Sequence, residues 1–254
     1  TKNFLGMRNV AFICYSHSEY SDVWDLFFGQ LNTYFPKVKK YLFTDKVTEK
    51  TLDDIQIVTY DDTTSYSQRV VECLKKVKED LCVFHHEDMV LLDKPDITKL
   101  TEICDFIRKY KIEYVKLLKG GHNEDIKLDG MPIDNLFWVP HNTNGISVSF
   151  AIQPTIWKVK YLLEVFTNSG ESNLKGNVAV GDFELTASEY INNSTINGLY
   201  WFNNEPKRGL HHWDSSLYPH GNLISKGKWA SEYSGILDTL HKKYNINKNL
   251  RGTT

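Results

Sequence analysis

The 254 residues are 41% hydrophobic, 13% aromatic and 24% charged, a balance that fills a compact core and excludes disordered and fibrous architectures. The 30 basic and 32 acidic side chains leave a formal charge of −2, which disfavours a nucleic-acid partner, since duplex-binding domains carry a strong basic excess. No run approaches the roughly 20 apolar residues that cross a bilayer and no secretory h-region stands at the N-terminus, so a chain without a transmembrane segment is expected.

Val10 to Tyr15 is a continuous apolar run ending in Ser16-His17-Ser18, which predicts a strand buried on both faces that runs into a polar loop. Val23, Trp24, Leu26, Phe27, Leu31 and Phe35 share one helical face, and Pro36 stops that helix. Lys40 to Asp45 and Ile55 to Tyr60 read as the second and third strands. Ser65 is placed to cap a helix through Val70, Val71, Leu74 and Val77. Leu81 to Phe84 is again a buried-strand run, and it ends in His85-His86-Glu87-Asp88.

Asp96 to Tyr110 then predicts an amphipathic helix, Glu113 to Leu118 a strand, and Lys119 to Leu136 a polar surface excursion. Val148 to Gln153 reads as a strand, after which Pro154 opens a helix through Ile156, Trp157, Val159, Leu162, Leu163 and Phe166. Further helices are expected over Phe183 to Ile191 and Tyr233 to Tyr244. Between them Gly198 to Trp229 lacks periodicity and carries Trp201, Trp213, Trp229 and His211-His212-Trp213-Asp214.

This alternation defines the expected fold class, α/β, with a mainly parallel mixed central sheet flanked by helices on both faces and ligands gathered at the carboxyl ends of its strands. No linker, repeat or low-complexity tract interrupts the chain, so one domain over residues 1–254 is the simplest organisation. Cys14, Cys73, Cys82 and Cys104 lie singly in apolar segments, which suits buried thiols in a reducing compartment and a cytoplasmic location. No G-x-G-x-x-G follows the first strand, and neither a P-loop nor a G-x-S-x-G elbow occurs, so the usual dinucleotide, nucleotide-hydrolase and esterase signatures are missing.

Glu87-Asp88 is the most informative chemistry. Adjacent carboxylates raise one another's pKa unless a cation sits beside them. Mg²⁺ or Mn²⁺ is held in this way beside a nucleoside diphosphate, by one or two carboxylates with phosphates and water. The other reading of the same residues is a solvated acidic turn.

Ser67-Gln68-Arg69 opening a helix, Leu81-Cys82-Val83-Phe84 as the strand and Glu87-Asp88 at its end together resemble the nucleotide-sugar half of GT-A-fold glycosyltransferases, which carry an Asp-x-Asp or related acidic motif there. Phe150-Ala151-Ile152-Gln153-Pro154-Thr155-Ile156-Trp157-Lys158, Gly170-Glu171-Ser172 and Gly181-Asp182-Phe183-Glu184 are similar to a small bacterial and viral group of sugar transferases. In that group a Gln-Pro-x-x-Trp junction precedes an acidic helix start. The resemblance spans about residues 8–245.

It implies transfer of a sugar from a UDP- or GDP-sugar to a hydroxyl acceptor, a glycan in polysaccharide biosynthesis, assisted by Mn²⁺ or Mg²⁺. Residues 1–94 would form the nucleotide-sugar half and 95–254 the acceptor half. Tyr15, Ser16, Thr44 and Asp45 would flank the nucleobase and ribose, Arg69 would meet the pyrophosphate, and Glu87 and Asp88 would hold the metal with a late histidine, His212 or His211, closing its coordination. Asp182 and Glu184 are the candidates for the general base, their bland alternative being helix N-terminal acids that favour the macrodipole. The motif departs from Asp-x-Asp: in an extended turn His86 and Asp88 share a side while Glu87 points away, which leaves one carboxylate for a weak metal site or a metal-independent enzyme. The rival function is a carbohydrate- or nucleotide-binding module without turnover.

Overall fold

The computed structural model describes residues 7–50, 52–121, 124–141, 149–171, 177–208 and 212–254. The first half follows the expected order: β1 (Val10–Tyr15), α1 (Ser21–Tyr34), β2 (Lys39–Thr44), β3 (Ile55–Thr59), α2 (Tyr66–Leu74) and β4 (Leu81–His86). Ser65 caps α2 through a reciprocal capping box with Gln68. That helix ends at Leu74, so Val77 lies beyond it.

The second half holds β5 (Met89–Leu91), α3 (Ile97–Lys109), β6 (Tyr114–Lys116), β7 (Ile126–Lys127), β8 (Leu136–Trp138), β9 (Thr155–Lys158), α4 (Val159–Asn168), α5 (Asn177–Asn192) and β10 (Gly198–Trp201). Short pairs follow, β11 (Lys207–Arg208) with β12 (His212–Trp213) and β14 (Ile224–Ser225) with β15 (Lys228–Trp229). β13 (His220–Asn222) lies between those pairs in the chain, and α6 (Ser234–Lys243) comes last.

Nine strands form one sheet in the order β3-β2-β1-β4-β9-β6-β10-β8-β7. β1 to β4 are mutually parallel, β9 runs antiparallel between β4 and β6, and β10 is again parallel to β6. All but β8 and β9 therefore point the same way, the mainly parallel mixed sheet that was expected. Alternate residues of the strands feed two cores. Val10, Phe12 and Cys14 pack with α1, α3 and α6, whereas Ala11 and Ile13 pack with α2, α4 and α5.

Three expectations fail here. Of the strand expected over Val148–Gln153, residues 149–153 are not in a strand, and Val148 lies outside the described residues. The strand is β9 instead, and the helix begins at Val159 rather than Pro154. Residues 155–158 satisfy strand alternation as well as helical spacing, and the vacancy between β4 and β6 decides: Ile156 enters one core while Trp157 enters the other, stacked 4.3 Å from Tyr114. Gly198–Trp201, read as irregular, is a fully buried strand. Its glycine is required, because a Cβ there would lie 1.9 Å from Tyr114 Cζ. Within the expected polar excursion lies β7, and β8 begins at its last residue, the two extending the sheet edge.

Candidate active site

The parallel order β2-β1-β4 brings the carboxyl ends of these strands to one edge. At the end of β1 the buried Ser16 ties the elements together: its Oγ accepts from Trp24 Nε1 at 2.8 Å, its carbonyl accepts from Tyr60 Oη at 2.9 Å, and its amide donates to Phe43 O at 2.9 Å. Tyr15 stacks on Tyr60 with centroids 5.2 Å apart and meets Tyr66 edge-on at 5.1 Å. At the end of β2, Asp45 accepts from the Ser18 amide at 2.6 Å, from Ser18 Oγ at 2.8 Å and from Thr44 Oγ1 at 3.1 Å. Burial opposes its charge, but the Ser18 donors outweigh burial and hold its carboxyl below the ordinary value.

Arg69, expected at the pyrophosphate, is engaged within the β3–α2 loop. Its guanidinium pairs with Asp62 at 3.1 Å, donates to Thr64 O at 2.9 Å and to Asp62 O, and reaches Tyr15 Oη at 3.4 Å. The sequence therefore brings Tyr15, Ser16, Thr44, Asp45 and Arg69 to one region, with Asp45 and Arg69 bonded mainly to the neighbouring loops and Ser16 to α1, β2 and Tyr60.

Glu87 and Asp88 form the turn between β4 and β5, and β5 is held by antiparallel pairing with β13 in the register Met89↔Asn222. The Asp88 carbonyl accepts from the amides of Leu223 at 2.8 Å and Val90 at 3.1 Å, and its carboxylate accepts from Asn222 Nδ2 at 3.2 Å. Burial pushes Asp88 up to about 6 against that bond. Burial and the Asp88 charge push Glu87 up to about 8, with Ser16 and Arg251 pulling back. Two half-buried carboxylates thus share a turn with few donors. Upstream, the histidines are structural: His85 Nε2 lies 2.8 Å from Tyr218 Oη and His86 Nε2 lies 2.9 Å from Tyr66 Oη. Burial holds both imidazoles neutral, down to about 3 and about 4.

Among the described residues no three His, Cys, Asp or Glu side chains form a metal-binding group. His212 lies on β12 opposite Arg208 and acts electrostatically on His220, so the expected set Glu87, Asp88 and His212 is not assembled; His211 is outside the described residues. Trp201 and Trp229 are buried in the core, and the Trp213 ring lies 4.8 Å from Lys119 Nζ and 5.0 Å from Lys207 Nζ.

On the other side of Tyr66, Glu184 of α5 accepts from the Ile152 amide at 2.6 Å. Burial raises its carboxyl, opposed by that amide and by Lys116. Lys116 is buried at the end of β6, which pushes its ammonium down to about 7 against the pull of Glu184. Asp182, two positions earlier on α5, faces a different side of the helix, so the two acids cannot serve the same point. Glu171 accepts from the Ser67 amide at 3.1 Å; its Oε2 and Gln153 Nε2 are buried with no hydrogen-bond partner among the described residues. Sequence reasoning passed over Lys116, although a lone lysine inside a predicted buried strand is itself a signal. Asn222 carried none.

All four cysteines are free and buried, and no helix among the described residues is long and apolar enough to cross a membrane. No protein-family model matches the chain, and no curated protein matches it. Solved structures are similar to it. One is S. aureus TarS residues 1–349, at 14% identity and TM-score 0.46 over 76% of this chain and 60% of that one. Another is the mannosyltransferase PcManGT from Pyrobaculum calidifontis in complex with GDP-Man and Mn²⁺, at 12% identity and TM-score 0.46 over 79% and 58%. A third is CMP:2-keto-3-deoxy-manno-octonic acid synthetase with CTP, at 12% identity and TM-score 0.46 over 76% and 88%. The chain thus spans about three-fifths of the first two. These likenesses concern the α/β fold alone, and the chemistry of the site rests on its own geometry.

Proposed function

We propose that the protein is a glycosyltransferase that moves a sugar from a nucleoside-diphosphate sugar, UDP- or GDP-linked, to a hydroxyl of a glycan acceptor. The observation that carries this reading is the Glu87–Asp88 turn at the carboxyl edge of a parallel sheet, where burial and the Asp88 charge push Glu87 up to about 8 and burial pushes Asp88 up to about 6. This all-oxygen donor set fits Mn²⁺ or Mg²⁺, which bind through one or two carboxylates and take their remaining ligands from phosphate and water. Such an ion, when bound, neutralises the charge that develops on the leaving diphosphate.

The chain's own residues supply the rest. The Tyr15–Tyr60 stack offers an aromatic wall for the nucleobase, and Arg69 lies beside it as a cation for the phosphates once it leaves Asp62. Glu184 is the base: the acceptor oxygen bonds to the anomeric carbon as the bond from that carbon to the diphosphate oxygen breaks, and the hydroxyl proton passes to the Glu184 carboxylate. Gln153 Nε2 and Glu171 Oε2 offer a buried donor and a buried acceptor to a polyhydroxyl ligand. Unsatisfied buried groups of this kind cost about 1–3 kcal/mol each, so a ligand that pairs them gains affinity.

The test is a thermal-shift titration with UDP, GDP, CDP and their sugars, with and without Mn²⁺, followed by assay of diphosphate release. A ligand at about 100 times its Kd adds about 2.7 kcal/mol of stability. The expected result is a shift for one nucleotide that requires Mn²⁺, with release of that diphosphate from its sugar. Nucleotide binding that ignores Mn²⁺ and never yields diphosphate overturns the reading in favour of a binding module.

A further inference from the structure

Lys116 occupies the last position of β6, is 1% exposed and sits opposite Thr155 of β9. Alternation places it on the same face as Tyr114, whose ring stacks on Trp157 within the core that α4 and α5 cover. Its side chain therefore leaves the sheet on the face that α2, α4 and α5 cover. From α5, Glu184 reaches down to the segment that leads into β9 and takes the Ile152 amide at 2.6 Å. The β6–β9 register thus sets Lys116 beside Thr155, three residues beyond the amide that Glu184 accepts from, and each of the two side chains acts on the charge of the other. A buried ammonium is tolerated when a carboxylate compensates it.

We propose that Lys116 is the positioning residue for Glu184, holding it as a carboxylate against the Ile152 amide so that it is ready to take the acceptor's proton. The inference rests on the reading of Glu184 as the base. Among the described residues the other titratable groups facing this point are Tyr66 on α2 and Glu171 beyond α4, the phenol of Tyr66 feeling Glu184, Glu171 and, from the β4–β5 turn, Glu87. Glu171 is tied to the Ser67 amide, and Glu164 of α4 is taken by Tyr190 Oη at 2.8 Å. Among the described residues the positive charge that acts on Glu184 comes from Lys116. An opposite charge favours the ionised form of a carboxyl, and Lys116 acts on Glu184 in that direction, against its burial.

The experiment is a ¹³C NMR titration of the glutamate carboxyls in the whole chain, with Glu184 assigned by its disappearance in Glu184→Gln. Lys116→Met is expected to raise the Glu184 midpoint by about 1–3 pH units and Lys116→Arg to keep it close to wild type. Reciprocally, Glu184→Gln lowers the Lys116 Nζ midpoint below its value of about 7. This second measurement needs no Lys116 variant to fold. The acid limb of the pH–rate profile for diphosphate release should move upward with the Glu184 midpoint in Lys116→Met. Midpoints that stay put in both Lys116→Met and Glu184→Gln overturn the pairing. A Glu184 midpoint that moves while the acid limb does not overturns Glu184 as the base and with it the positioning role. If the midpoints move as expected and no diphosphate is ever released, the pairing stands and the transfer reading falls.

Discussion

Asp45 and the Glu87–Asp88 pair stand at the same edge of one sheet, separated by the single strand β1, yet their surroundings act on them in opposite directions. Asp45 receives three hydrogen bonds from Ser18 and Thr44 and stays ionised below the ordinary carboxylate value. Glu87 and Asp88 are pushed up by burial, and Asn222 is the side-chain donor that answers Asp88. A carboxylate whose lone pairs are filled by the fold serves the fold. A carboxylate left short of donors beside another is a place for something that the chain does not provide. Glu184 falls between the two, with one backbone donor and one buried cation.

The largest effect expected from this division is on turnover. Glu184→Gln should lower kcat for sugar transfer by about 10²–10⁴-fold, the usual contribution of a positioned base, and leave the nucleotide Kd unchanged. Steady-state diphosphate release with parallel calorimetric titration separates the two quantities, and a loss confined to Kd would move Glu184 into the binding machinery. Next in size is the metal link. In Asp88→Asn the stabilisation by Mn²⁺ plus nucleotide, about 2.7 kcal/mol at 100 times Kd, should vanish from the thermal midpoint while the apo midpoint holds. An undiminished Mn²⁺ response would place the ion elsewhere.

The contrast was legible in the sequence only on one side. An apolar run that ends in Glu87-Asp88 marks itself, because burying a strand and then placing two acids at its end is costly unless they are used. The strands β1 to β4 and the Ser65 cap were equally legible, being carried by local periodicity and by a local hydrogen bond. What supports the turn was not: β5 and β13 are three-residue strands that exist because each finds the other across a long stretch of chain. The same long-range pairing made β9 a strand where spacing favoured a helix, and drew Gly198–Trp201 into the sheet. The pairing of Lys116 with Glu184 depends on that β9 geometry, so its partner was invisible although the lysine itself stood in plain view.

Stability measurements sharpen the comparison at a smaller scale. Asp45→Asn leaves the Ser18 amide and hydroxyl facing a neutral and poorly matched group, so the unfolding free energy should fall by about 1–3 kcal/mol. The pH sign follows from its depressed carboxyl: the stabilisation from Asp45 is present above the unfolded value of 3.8 and is lost as pH falls through the lower folded value. The variant should therefore show a shallower acid limb in urea unfolding below about pH 4. Glu87→Gln should do the reverse near neutrality, removing repulsion and leaving the apo protein as stable as wild type or more so. Equal destabilisation by both substitutions would erase the distinction between the two regions.

The finest test concerns Arg69, which belongs to the first region by its bonds and to the second by its expected role. Its pair with Asp62 is partly exposed, the aspartate side chain being 50% accessible, so the pair contributes about 0.2–1 kcal/mol at most. Asp62→Asn releases that hold while leaving the guanidinium anchored by Thr64 O and next to Tyr15 Oη. If Arg69 turns to the diphosphate when nucleotide binds, breaking the ion pair is part of the binding cost, and Asp62→Asn should tighten nucleoside-diphosphate binding by up to about fivefold. The gain should shrink at high salt, where the pair is already screened. Affinity that is unchanged by Asp62→Asn, measured by calorimetry at low ionic strength, would leave Arg69 as a brace of the β3–α2 loop and remove it from the proposed phosphate site.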